Sequence, residues 1–277
     1  MDAGRRGRRD RRERLRIAIV GGGIGGFTAA LCLEKAGLDA TVYEQAAELA
    51  DIGAGIVVAP NMVRPLRQLG LGAPLAAVSV RLDAAWEFRR WRDGRVLSVQ
   101  PMGDECERLY GAPCYVAHRA DLLAVLERAV PRERLGLDHR CVEVGQDQDE
   151  DEVVLTFANR AGRTIQVRAD AAIGADGIHS VLRPSIAGQV EARFSGLCAF
   201  RCLVPAERAP AMARRPVQTL WLGPGHHFVH YPISNGVLIN VVALAPAGSW
   251  RAESWTADGE VADLRPSSRA GTRASTS

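Results

Sequence analysis

The spacing of apolar positions divides the chain into a first part with helical and strand periods in alternation and a later part that is almost entirely strand-like. Residues 15–20, LRIAIV, are a short β-branched run between charge and glycine, the pattern of a strand buried on both faces. Residues 24–36, IGGFTAALCLEKA, repeat apolar positions at helical spacing and stop at Gly37, which predicts a helix. LDATVYE at 38–44 then reads as a second strand. In LADIGAGIVVAPNMVRPLRQLGL (49–71), Gly53 and Gly55 fall in a loop or strand start, and Pro60-Asn61 opens a helical run. YVAHRADLLAVLERAV (115–130) sets Arg119 at the beginning of a helix with Leu122, Leu123, Leu126 and Val130 as its apolar stripe. ADAAIGADGIHSVLR (169–183) is an apolar strand that breaks at Gly174-Ala175-Asp176-Gly177 and is expected to enter a helix.

DEVVLTFANRAGRTIQVRAD alternates as a hairpin around an Asn159–Gly162 turn. CAFRCLVPAE, VQTLWLGPGHHFVHYPI and NGVLINVVAL are further β-rich runs separated by Gly, Pro and Asn. The expected fold class is therefore α/β: a Rossmann-like parallel sheet with helices, plus a mostly antiparallel sheet. Residues 15–190 form the first unit, with the hairpin inserted, and 191–250 the second. The flanks lack apolar periodicity; 1–14 reads as a disordered basic extension and 251–277 as an irregular Ser/Arg/Gly/Thr tail.

Composition changes this picture in few places. With 277 residues and 47% hydrophobic content, the chain can bury a core of one large or two modest domains. The formal charge of +3 misleads about partners. Eight arginines and three acids crowd into residues 1–16, and three more arginines lie in 265–277. The intervening 248 residues hold 24 basic and 29 acidic side chains, about −5 net, so a nucleic-acid reading would rest on the ends alone. No signal-peptide pattern precedes Ile17 and no apolar run nears the length of a bilayer span, so a cytoplasmic protein without a membrane segment is expected. The six cysteines show no ligand spacing and read as buried reduced thiols; no metal site is expected.

The candidate chemistry begins with GGGIGG at 21–26. Gly21-x-Gly23-x-x-Gly26, together with Ile24 and Gly25, joins the first strand to the first helix. The first glycine permits a tight turn, the second lets backbone approach a pyrophosphate, and the third lets helix pack on strand. Glu44 follows the last glycine by 18 residues, at the end of the second strand, where a carboxylate accepts from ribose hydroxyls. This unit fits NAD or FAD equally well; a tight turn with no ligand is its bland counterpart. Asp176 sits at the carboxyl end of a strand, where open α/β sheets bind ligands.

Taken together, IVGGGIGG, VYEQ, GAGIVVAPN, YVAHRADL and GADGIHSVLR resemble the FAD-dependent aromatic hydroxylases, the single-component flavoprotein monooxygenases, in order and in separation from about residue 15 to 245. The resemblance implies FAD as cofactor and NADH or NADPH as co-substrate, with O2 and a small phenolic or aromatic carboxylate substrate. It implies that Gly21, Gly23, Ile24, Gly25 and Gly26 cradle the FAD pyrophosphate and that Glu44 holds the adenosine ribose. By the same resemblance Gly55 and Arg119 contact the cofactor, Arg119 near its phosphate and ribityl chain. Asp176 and Gly177 match a pattern associated with FAD and the nicotinamide nucleotide, and Arg183 closes that motif as a ligand contact or a local cap. The antiparallel sheet implies a substrate side covering the flavin, with Val57 a candidate for its apolar lining.

GPGHHFVHYPI holds three of the six histidines. Strand alternation sets His226, Phe228 and His230 on one face and His227, Val229 and Tyr231 on the other. His227 and Tyr231 resemble the His and Tyr of hydroxylases in this family. Histidine titrates ordinarily near neutrality and can take a phenolic proton, giving the electron-rich ring that attacks an electrophilic oxygen. His227 is thus the candidate base and Tyr231 the candidate orienting group, against the bland reading of structural strand residues. Nothing after Asp176 matches the second Gly-Asp stretch of that family, so the sequence reads as truncated relative to it. Two alternatives therefore stand beside the hydroxylase: a non-catalytic FAD- or nucleotide-binding remnant, and a flavin reductase or oxidase.

Overall fold

A computed structural model describes residues 15–49, 53–147, 151–189 and 193–247. The readings of 1–14 as a basic extension and 251–277 as an irregular tail lie outside the described residues. Strand β1 (Ile17–Val20) is buried along its whole length. It lies between β12 (Ala171–Gly174) and β2 (Ala40–Tyr43), both parallel to it, and β8 (Leu135–Gly136) extends the sheet beyond β2. This is the expected parallel sheet.

Helix α1 (Ile24–Lys35) presses Gly26, Phe27, Ala30 and Leu31 inward and ends before Gly37, whose φ of 75° lets the chain reverse. Helix α2 (Pro60–Gln68) follows β3 (Gly55–Val58), α3 (Gly72–Val78) leads into β4 (Ser79–Arg81), and α4 (Gly103–Tyr110) precedes the next strand of the same small sheet. Helix α5 (Arg119–Ala129) follows β7 (Tyr115–His118) and covers the same core as α1. Phe27, Val42, Leu122 and Leu126 are fully buried there. Each such side chain contributes about 1.5–3 kcal/mol of burial free energy. Strands β3, β7 and β4 make a small antiparallel sheet in that order.

The hairpin at 151–170 is present as β10 (Glu152–Ala158) and β11 (Thr164–Ala169), turning where the Asn159 carbonyl accepts from Gly162 N, and β9 (Arg140–Asp147) pairs on its other side. The largest sheet has six strands in the order β13-β16-β15-β14-β5-β6. Four come from the later part: β13 (Leu197–Pro205), β14 (Val217–Gly223), β15 (His226–Ile233) and β16 (Leu238–Pro246). The other two, β5 (Ala85–Arg90) and β6 (Val96–Pro101), are supplied by the earlier part and close through Asp93-Gly94. Only β14–β5 is parallel, so the sheet is mostly antiparallel as expected.

Two local expectations are corrected. The segment after Asp176-Gly177 is not a helix; residues 175–182 form a turn-rich loop and helix α6 spans only Arg183–Ala187. The cause is Asp176 itself: its carboxylate accepts from Ser180 Oγ (2.6 Å), Val181 N (2.7 Å) and Leu182 N (3.3 Å), which folds the chain back before helical bonds can form. The cysteines are free, but only Cys106, Cys114 and Cys141 are buried; Cys32, Cys198 and Cys202 are exposed. Burial pushes the Cys114 thiol up to about 12.

The side chains of β15 split as alternation demands. His230 faces the side of the sheet that carries Glu87, Arg89 and Trp221. Glu87 pairs with Arg89 at 2.7 Å and with Arg215 at 3.3 Å, and Arg89 lies over the Trp221 ring. Burial, and then the Arg89 charge, lower the His230 pKa against the opposing pull of Glu87. The unfolded chain therefore binds a proton that the folded state resists. Stability is full above the ordinary histidine range and falls as pH drops through about 6.5 toward the lower folded value. Urea midpoints measured between pH 7.5 and 5.5 should drop in the wild type and drop less in His230→Gln; equal slopes would contradict this assignment.

Candidate functional site

The carboxyl ends of β1 and β12 lie side by side, Val20 opposite Gly174, and the chain leaves both into glycine turns. Gly21 has φ 107° and abuts the other turn; a Cβ there would meet the Ala175 carbonyl oxygen at 2.3 Å. At Gly26 a Cβ would meet the Gly21 oxygen at 1.8 Å, so the third glycine is what lets α1 start against the turn. Gly23 and Gly25 differ, because a Cβ on either meets, among the described residues and beyond the adjoining backbone, no atom within 4 Å. Their bareness has no internal packing reason and leaves open space above the first turn of α1. Gly23 caps that helix without a side-chain bond, and no acidic residue occupies its first turn, where Ile24 begins the helix. The N–H groups of that turn face outward as donors, the arrangement that receives a phosphate. A dinucleotide pyrophosphate fits these residues.

Glu44 stands at the end of β2 beside the same turn. Its Oε2 accepts from Gly22 N at 2.6 Å and its Oε1 from Ala46 N at 2.9 Å. The carboxylate thus holds the glycine turn in shape, with lone pairs to spare for a hydroxyl donor. Across the turn, Asp176 spends its carboxylate on its own loop, and Gly177 takes φ 77° immediately after it. Arg183 donates to the Ile178 carbonyl, so within the protein it is a local cap of that loop.

Arg119 opens α5, half-buried, with its backbone N donating to the Ala54 carbonyl at 3.0 Å. A Cβ on Gly53 would lie 3.0 Å from Arg119 Cβ, so the 53–55 stretch is drawn tight against this arginine. His118 Nε2 meets the Gly53 carbonyl at 3.1 Å, and Asp121 accepts from Ser234 Oγ at 2.7 Å, tying α5 to the end of β15. Gly55 then touches the large sheet. Its N donates to Asn240 Oδ1 at 2.7 Å, and a Cβ would sit 2.6 Å from both Asn240 Cγ and Tyr231 Cε2.

The structure therefore brings Gly55 and Tyr231 together and sets His227 apart from them. His227 and Tyr231 do share the face of β15 turned toward β3. Four residues along a strand nevertheless separate their Cα atoms by about 13 Å. Tyr231 is buried among Leu82, Cys114, Val116 and Ile233. Burial pushes its hydroxyl up to about 12, with the Arg201 charge working in the opposite direction, so it is a donor at neutral pH. His227 is half-buried and Val57 is 36% exposed. Sequence reasoning missed Asn240, which is completely buried, and the pair β5–β6. The Asp93-Gly94 dipeptide between AWEFRR and VLSVQP was a usable hairpin signal; for Asn240 no sequence pattern existed. Among the described residues no group of three or more metal-ligating side chains occurs, and no helix is long and apolar enough to cross a membrane.

Residues 14–260 match the family described as FAD binding domain. The chain is 41% identical over 237 residues to 3-amino-4-hydroxybenzoate 2-monooxygenase of Streptomyces cremeus, covering 85% of this chain and 58% of that protein. It is 34% identical over 245 residues to 3-hydroxybenzoate 6-hydroxylase 1 of Aquipseudomonas alcaligenes, covering 86% and 59%. Among solved structures, Klebsiella pneumoniae HpxO complexed with FAD and uric acid superposes with a TM-score of 0.72 at 26% identity, covering 86% of this chain and 58% of that one. The chain thus spans somewhat under two thirds of the length of these proteins.

Proposed function

We propose that this chain, which belongs to the FAD binding domain family, is the cofactor- and substrate-binding part of an FAD-dependent monooxygenase that hydroxylates a small phenolic or aromatic carboxylate substrate with O2 and NADH or NADPH. The observation that carries the reading is the pair of open glycines, Gly23 and Gly25, over an uncapped helix start with Glu44 and Asp176 on either side. Gly21, Gly23, Ile24, Gly25 and Gly26 would receive the pyrophosphate on backbone N–H groups. Glu44 would hold the ribose, and Arg119, with Gly55, Asp176 and Gly177, would complete the enclosure. When bound, the flavin supplies hydride acceptance and oxygen activation.

The chain's own side chains position the ring and take up its proton. The sheet face carrying Tyr231 and His227 meets β3 at Gly55, and its apolar members Val229, Val242 and Leu244 would lie against the reacting ring. His227 takes the phenolic proton as the ring is attacked, and Tyr231, a neutral donor, orients it. The relatives named as hydroxybenzoate enzymes support this reading. No membrane-spanning helix is found among the described residues, and we place the protein in the cytoplasm.

The test is titration of the purified, folded chain with FAD, followed by flavin fluorescence. Saturable uptake supports the reading; none at tens of micromolar sinks it. With FAD loaded, hydroxybenzoate-stimulated NADH oxidation that forms hydroxylated product separates a monooxygenase from a reductase, which makes only peroxide. His227→Gln should lower the product-forming rate about 100-fold, the typical contribution of a general base, while leaving FAD uptake unchanged. A variant with wild-type turnover would remove His227 from the mechanism.

A further inference from the structure

Residues 53–55 are held at three points by two different parts of the fold. The Gly53 carbonyl accepts from His118 Nε2 at 3.1 Å and the Ala54 carbonyl from Arg119 N at 3.0 Å, both at the junction of β7 and α5. The Gly55 N–H goes elsewhere, to Asn240 Oδ1 at 2.7 Å, on a strand 185 residues further along the chain. One end of this short segment is therefore tied to the helix that begins with Arg119 and the other to the large sheet.

Asn240 is built to fix a distance. Its backbone lies in β16 between β13 and β15, opposite Leu203 and Tyr231, so neighbouring strands hold its Cα on both sides. The side chain is completely buried, and a Cβ on Gly55 would lie 2.6 Å from its Cγ and 2.8 Å from its Cβ. The amide is nevertheless only half used: Nδ2 is buried with no hydrogen-bond acceptor among the described residues. An orphaned buried donor costs free energy that an apolar side chain of similar size would not. Packing alone thus gives no reason for an amide at this position; the acceptor aimed at Gly55 N does.

We infer that Asn240 is a positioning residue, whose Oδ1 sets the place of Gly55 and, through the 53–55 segment, the place of Arg119 beside the cofactor. The coupling is mechanical. A Cβ on Gly53 would lie 3.0 Å from Arg119 Cβ, and Ala54 shares a bond with Arg119 N, so a displaced Gly55 carries the start of α5 with it. This rests on the FAD reading above and deepens it: a side chain of the large sheet, in a part of the fold remote from the glycine turn, governs how tightly the dinucleotide is held.

The experiment compares the full-length wild type with Asn240→Leu and Asn240→Asp by amide hydrogen exchange at Gly55, FAD titration and urea denaturation. The leucine variant should exchange the Gly55 amide about tenfold faster and bind FAD about tenfold more weakly, roughly the loss of one hydrogen bond. Aspartate keeps an acceptor in the same place and should bring both values back to within about threefold of wild type. Should the leucine variant fail to fold, Asn240→Ser, whose hydroxyl is too short to reach Gly55 N, replaces it with the same expected losses. A residue that only supports the sheet would lower the urea midpoint without changing the FAD dissociation constant of the folded protein. That result, or an aspartate variant that binds FAD as poorly as the leucine one, overturns the inference while the flavin reading stands. Failure of the wild type to take up FAD removes both.

Discussion

Gly26→Ala should unfold the protein or leave it destabilised by more than about 4 kcal/mol, the exceptional end of single-substitution effects. The added methyl carbon lands 1.8 Å from the Gly21 carbonyl oxygen and 3.0 Å from its carbonyl carbon. Both are backbone, so no rotamer change relieves the overlap; α1 has to move away from β1. That movement would pull Phe27, Ala30 and Leu31 out of the largest core cluster and open cavities, whose cost adds to the overlap. Soluble yield and the urea midpoint check it. A variant with a wild-type midpoint would show that the turn is looser than described.

Gly23→Ala should do the reverse: leave the fold nearly intact and cost the dinucleotide about 100-fold in affinity, roughly 2.7 kcal/mol. The backbone there, φ −80° and ψ −175°, is open to any residue, and the new carbon meets nothing within 4 Å. A change of stability within ~1 kcal/mol is expected, since alanine is a poorer N-cap than glycine. The space it enters is the space the proposed pyrophosphate would need, against first-turn N–H groups for which no acceptor occurs among the described residues. Flavin titration and urea denaturation on the same preparation separate the two effects. An unchanged dissociation constant would mean that the bare turn serves some other purpose.

The contrast between these two glycines shows how far the sequence reached. Gly21-x-Gly23-x-x-Gly26, placed between an apolar run and a helical period, already assigned a strand, a turn and a helix, because chain stereochemistry is local and only glycine tolerates φ 107° at the first position. The α/β class, the hairpin at Asn159–Gly162 and the strand faces of HHFVHYPI were legible for the same reason: each depends on a period or a turn within about 20 residues. The helix read after Asp176 failed because a side chain outbid the backbone for its own N–H groups, and apolar spacing does not register that competition.

What only the tertiary structure decided is which distant segments meet. Sequence separation hides that Gly55 is pressed between Tyr231 and Asn240, 176 and 185 residues further on, and that residues 85–101 complete a sheet begun after residue 197. It also hides that Arg201 shares a face with His227 across two strands, since register is set by long-range pairing and buried area. The sequence by itself determined the glycine cradle and the class of fold. Tertiary packing decided which side chains share the sheet face of Tyr231 and His227, because those contacts join strands whose pairing no local pattern encodes.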